Sequence, residues 1–103
     1  MSKVSADVYI VPLGTYSPSI SDYVAACEEV LKAYPNIKYQ INPMSTTLEG
    51  ELEVILEIVR RMHEAPFRQG AMRVSTSIRI DDRRDVDSSL EHKVEVVREK
   101  AHV

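Results

Sequence analysis

The sequence holds one cysteine, three glycines, no tryptophan and only 6% aromatic residues in 103 positions. Cys27 has no second cysteine with which to form an internal disulfide, and one thiol cannot build a cysteine-based zinc site. A reducing compartment is the expectation. Basic residues are in deficit, 13 Lys and Arg against 16 Asp and Glu, so the long-range field does not favour a nucleic-acid backbone. No apolar run approaches the ~20 residues of a membrane span, and the stretch from Val8 to Leu13 is too short for a signal-peptide core and is broken by Pro12. The expected protein is cytoplasmic, with neither nucleic acid nor membrane as partner. Repeats, low-complexity tracts and linkers are also lacking. What remains, 44% hydrophobic and 28% charged, describes one domain over residues 1–103, in a size class that buries roughly two thirds of its unfolded surface.

Val4 to Leu13 is rich in Val, Ile and Tyr and ends at Gly14, which reads as a strand closed by a turn. It is apolar at both parities, the mark of a central strand covered on both faces. Ser17 and Pro18 form a helix-start signal, with Ser19 and Asp22 as an alternative capping register. Ile20, Tyr23, Val24, Cys27, Val30, Leu31 and Tyr34 then follow at helical spacing until Pro35. Lys38 to Asn42 and Thr46 to Gly50 read as two short strands of a hairpin, and Pro43 places this part at a sheet edge or a bulge. From Glu51 a second helix carries Leu52, Ile55, Leu56, Val59 and Met62, with Val54 and Ile58 widening the stripe; Pro66 is expected to end or kink it and Gly70 to complete the break.

Val74, Thr76, Ile78 and Ile80 alternate with Arg73, Ser75, Ser77 and Arg79, the period of a strand with one buried and one polar face. Ser88 and Glu91 make a capping-box pattern ahead of a final helix marked by Leu90, Val94, Val97 and Ala101. The order is that of an α+β ferredoxin-like βαββαβ sandwich with an additional C-terminal helix. Its long helices cover one sheet face. The other face needs a different cover, and a second copy of the chain is the most economical one, so a sheet-mediated homo-oligomer is expected.

Several chemical signals fail on inspection. The run Asp81 to Asp85 has no calcium-loop spacing and reads as an exposed or intersubunit ion-pair network. His63 and Glu64 start like a zinc-protease helix, but Phe67 stands where the second histidine would be, so His63 reads as a structural residue bordering the apolar stripe. His92 and His102 read as solvated. Cys27 lies on an apolar helix face, where a thiol is poorly ionised and packing is the better explanation. The turn from Gly14 to Ser17 has one glycine and reads as a helix cap rather than a phosphate loop. The sheet offers a different constellation: Asn42, Thr47 and Glu49 in the hairpin with Ser75, Ser77 and Arg79 on the last strand share parity and can line a pocket. A solvated or subunit-contacting face is the equal alternative. Thr46 has the opposite parity from Glu49, and only a bulge near Pro43 would bring both to one pocket. No nucleophile, base and orienting group fall together, so no catalysis is expected.

The phrases Pro12-Leu13-Gly14-Thr15, Ser17-Pro18-Ser19 with Tyr23-Val24-Ala25, Pro43 to Gly50, Met62-His63-Glu64, and Arg73-Val74 leading to Ile80 to Asp85 together resemble the small thiamine-binding protein family, the YkoF-like group. The resemblance implies a ferredoxin-like fold, a homotetramer assembled as a dimer of dimers, and binding of thiamine or its aminopyrimidine moiety as a ligand, with no cofactor and no catalysis. It carries Thr46 and Glu49 over as ligand-binding candidates, while Asn42, Thr47 and Ser77 rest on parity. Ser45 departs from the glycine usual after Met44, and Pro66 from a helix that usually continues. A competing enzyme of this fold, an acylphosphatase-like hydrolase, would need an arginine in the loop after the first strand, and Gly14 to Ser19 contains no basic residue. A structural or regulatory assembly module without a small-molecule ligand is the other alternative.

Overall fold

The computed structural model describes residues 3–14, 21–85 and 90–101. The expected cap at Ser17 to Ser19, the hydroxyls of the Gly14 to Ser17 turn, the Ser88 cap and His102 lie outside those residues. Strand β1 (Lys3–Pro12) leads to helix α1 (Ser21–Glu29), which tightens into a 3-10 turn at Val30–Ala33. Strands β2 (Lys38–Ile41) and β3 (Thr46–Glu51) follow, then helix α2 (Leu52–Arg68), strand β4 (Val74–Asp81) and helix α3 (Leu90–Ala101). The sheet has four strands in the order β2-β3-β1-β4, each antiparallel to its neighbour. This is the ferredoxin-like α+β arrangement with its extra C-terminal helix. Among the described residues no helix is long and apolar enough to cross a membrane.

β1 occupies a central position, as its two-sided apolar pattern requires. Its even residues Val4, Ala6 and Val8 are buried against Leu48 of β3 and the inward stripe of α2, Ile55, Ile58, Val59, Met62 and Ala65. Cys27 and Leu31 close this core from the α1 side. Ile58, expected to widen the stripe of α2, is fully buried, while Leu56, expected on the stripe itself, lies half exposed at its border. β4 keeps the expected alternation, with Ile78 opposite Val8 and Ile80 opposite Ala6 on the helix side. As an edge strand it is covered only in part, so both isoleucines stay more than a third exposed.

The hairpin turn is Asn42 to Ser45, closed by the Asn42 amide donating to the Ser45 carbonyl at 2.8 Å. Pro43 sits in that turn, and β2 is the edge strand opposite β4. Both ladders of β3 run in continuous register, from Lys38↔Glu49 to Ile41↔Thr46 and from Lys3↔Glu51 to Val8↔Thr46. No bulge interrupts them, so Thr46 and Glu49 face opposite sides of the sheet.

Pro66 does not end α2, which runs on to Arg68. Proline removes the N–H that would bond the carbonyl four residues earlier, at Met62. That carbonyl instead accepts the Cys27 thiol, Sγ to O 3.4 Å, so α1 supplies the donor that α2 lacks. The helix tolerates proline here because only its final turn is affected.

The sheet face away from α1 and α2 carries Asp7, Tyr9 and Val11 of β1 beside Arg79, Ser77 and Ser75 of β4. α3 lies across one end of it. Lys93 pairs with Asp81, while Val94, Glu95 and Arg98 border a groove with Ile37 to Gln40. Among the described residues α3 adds nothing to the main core, and Val94 and Val97 remain largely exposed.

Candidate functional site

A cavity of about 250 Å³ opens between α1, the helix side of the sheet and the 42–45 turn. Val8 and Ile10 form its floor from β1, Val24, Cys27 and Glu28 come from α1, Ile41 to Thr46 form the hairpin wall, and Met62 closes it from α2. The floor is apolar because it continues the core. The hairpin wall is polar because a turn exposes its hydroxyls and amides.

Glu28 is the charged side chain in this lining. Helical spacing puts it one turn after Val24 and beside Cys27, so it points to the inner side of α1. Its Oε1 accepts a hydrogen bond from the Thr46 hydroxyl at 2.7 Å. Its Oε2 is buried and has no hydrogen-bond partner among the described residues. An unmet buried acceptor costs about 1–3 kcal/mol, more for a charge, unless a donor arrives. The cavity therefore offers an apolar slot with one oriented acceptor, a combination that receives an amino group, an amidine-like edge or a small organic cation.

Burial, and secondly the neighbouring Glu28 charge, push the Cys27 thiol up to about 11. It stays protonated and serves as donor to Met62 rather than as nucleophile. Alkylation of Cys27 at pH 8 is expected to be roughly 100-fold slower than that of an unperturbed thiol. A rate within about tenfold of the free thiol would show that the thiol is solvated and the contact to Met62 open. The raised value means the folded state holds its proton longer than the unfolded chain. The associated stability is complete below pH 9.0 and is lost as pH rises through about 11.

The sequence candidates divide between the two faces of the sheet. Thr46, only 6% exposed, is in the cavity wall. Asn42 borders the cavity, but its Nδ2 donates to Thr47 Oγ1 at 2.7 Å and to Ser45 Oγ at 3.3 Å. Thr47 donates onward to Asp7 Oδ1 at 3.4 Å on the far face. Ser77 lies opposite Tyr9 on that same face. Glu49 is there too, 4% exposed between Lys38 and Ser5 in register, and both Glu49 Oε2 and Ser5 Oγ lack a hydrogen-bond partner among the described residues. The five residues do not converge on one pocket. Glu28 was not among the candidates; the one available signal was an acid placed on the edge of the inward stripe of α1.

The remaining chemical signals take structural positions. His63 Nδ1 lies 2.6 Å from Thr76 Oγ1, and its ring meets the edge of Phe67, tying α2 to β4. Arg83 pairs with Asp85 and Arg84 with Asp82 as exposed ion pairs. These hydrogen-bonded pairs hold the Asp82 carboxyl below its usual range, and the Lys93 hydrogen bond does the same for Asp81. Among the described residues no three His, Cys, Asp or Glu side chains are grouped to hold a metal.

Comparison with known proteins places this geometry in a family. The chain is 50% identical to the UPF0045 protein YqgV of Bacillus subtilis over 89% of this chain and 91% of that one. It is 48% identical to a UPF0045 protein of Methanothermobacter thermautotrophicus over 94% and 98% of the two chains. The fold superposes on a hypothetical protein of Methanocaldococcus jannaschii with a TM-score of 0.85 at 38% identity, over 96% and 99% of the two chains. A candidate thiamine biosynthesis/salvage protein of Thermotoga maritima matches with a TM-score of 0.75 at 26% identity, over 93% of this chain and 99% of that one. Residues 6–98 match the model of the family described as thiamine-binding protein, and the chain belongs to that family.

Proposed function

We propose that this chain is a non-catalytic, cytoplasmic binding protein for thiamine or its aminopyrimidine moiety, and that it works as a homo-oligomer. The observation that carries the ligand assignment is the buried, unpartnered Oε2 of Glu28 in an apolar slot of small-molecule size. An aminopyrimidine supplies the donor this oxygen lacks and a flat face for Val8, Ile10, Val24 and Met62. Thr46 orients the carboxylate. The cationic thiazolium then faces the rim, where Ile41 and Met44 are exposed. The Cys27 thiol offers no nucleophile, since it is un-ionised and donates to a carbonyl.

The homo-oligomer reading is supported by the sheet face that α1 and α2 leave open. Tyr9 is 44% exposed near its centre, and Asp7 lies opposite Arg79 in register. A two-fold copy would set each charge against its opposite. The family resemblance adds a dimer of dimers.

Isothermal titration of the protein with thiamine, aminopyrimidine and thiazole, with the mass followed by light scattering, tests both parts. Saturable binding retained by the aminopyrimidine, on a particle of several chains, is expected. A folded protein giving no binding heat would remove the ligand and leave an assembly module, and a single-chain mass would remove the oligomer.

A further inference from the structure

We infer, on the reading that this cavity holds thiamine, that the site selects the unphosphorylated vitamin and rejects its phosphate esters. The argument is one of missing cations. Residues 4–31 and 39–59 contain no Lys, Arg or His, and these stretches supply β1 after Lys3, α1, and the hairpin after Lys38. Every cavity-lining residue except Met62 comes from them. The same stretches carry Asp7, Asp22, Glu28, Glu29, Glu49, Glu51, Glu53 and Glu57.

Phosphate sites use guanidinium, ammonium or helix N-terminal amides to offset the charge. Two cations on the flanking helical segments are engaged at the surface. Lys32 pairs with Glu29 at 3.0 Å, and Arg61 lies near Glu57 and over the ring of Tyr34. The lining from α1 begins at Val24, inside the helix, so the cavity does not draw on the described first residues of α1. A ligand whose outer end is a thiazolium arm without phosphate matches a rim built from these cation-free stretches. Thiamine esters carry their phosphate on the thiazolium arm, which places it at the rim, where the surrounding stretches hold acids and no cation to receive it, so the ester gains no contact and meets a field of its own sign.

The test titrates the full chain by calorimetry with thiamine, thiamine monophosphate and thiamine diphosphate at two salt concentrations. Thiamine is expected to bind at least about tenfold more tightly than either ester at about 0.01 M salt, and the gap is expected to narrow at about 0.15 M as the screening length shortens. Esters that bind as tightly as thiamine, or more tightly, would overturn the selectivity and leave the thiamine reading standing. Absence of binding by all three would overturn that reading and the selectivity with it.

Discussion

Leu48→Ala is expected to cost about 3 kcal/mol of folding free energy, within the roughly 2–5 kcal/mol span of buried leucine truncations. Leu48 is 0% exposed, at the centre of the sheet, with Ala6 of β1 on one side in register and Tyr39 of β2 on the other. It shares the core with Ile55 and Ile58 of α2, also fully buried. Ala6 is already small, so the neighbouring strand cannot fill the void, and the backbone of β3 is held by ladders on both edges. Domains of this size lose roughly 4–8 °C of Tm per kcal/mol, so the variant should melt roughly 12–24 °C lower. Urea unfolding is the direct measurement. A loss below about 1 kcal/mol would mean that α2 collapses onto the gap and that the core is looser than its burial indicates.

Core positions of this kind are legible in a sequence because burial imposes period. The two-sided apolar pattern of β1 told of a central strand, and the alternation from Val74 to Ile80 told of β4. Pro66 shows the limit of local rules. Proline breaks a hydrogen bond four residues back, but whether that matters depends on a donor from elsewhere, and Cys27 is 35 residues away in sequence. Leu56 shows another: helical period locates a stripe, while the position of the sheet beneath it decides which residue at its border is covered.

Parity also separated Thr46 from Glu49, and the unbroken β3 ladders keep them on opposite faces. Glu28 was harder to see. It lies in a helix whose inward stripe is written in apolar residues, and an acid at the border of such a stripe looks like any solvated surface glutamate. Only the hairpin folding over α1, with the Thr46 hydroxyl reaching the carboxylate, turns it inward.

Glu28→Gln should therefore weaken thiamine binding by roughly ten- to a hundredfold, the equivalent of the ~1.5–3 kcal/mol of a hydrogen bond to a charged group. Glutamine keeps an oxygen for the Thr46 hydroxyl but presents an amide to the ligand in place of the open carboxylate oxygen. The fold should survive, because the substitution removes a partly buried charge with one unmet acceptor and preserves volume. Its thermal midpoint is expected to match or exceed that of the parent. Cys27 provides an internal control: with the Glu28 charge gone, its thiol should ionise at a lower pH than before, while burial keeps it above the ordinary range. Glu49→Gln is the matched comparison on the other face of the sheet, where thiamine affinity should change by less than about twofold, within the usual scatter for a residue outside the site. If calorimetry instead finds the loss in Glu49→Gln and none in Glu28→Gln, the ligand belongs on the far face of the sheet beside Ser5, and the cavity under α1 is only a gap in the packing.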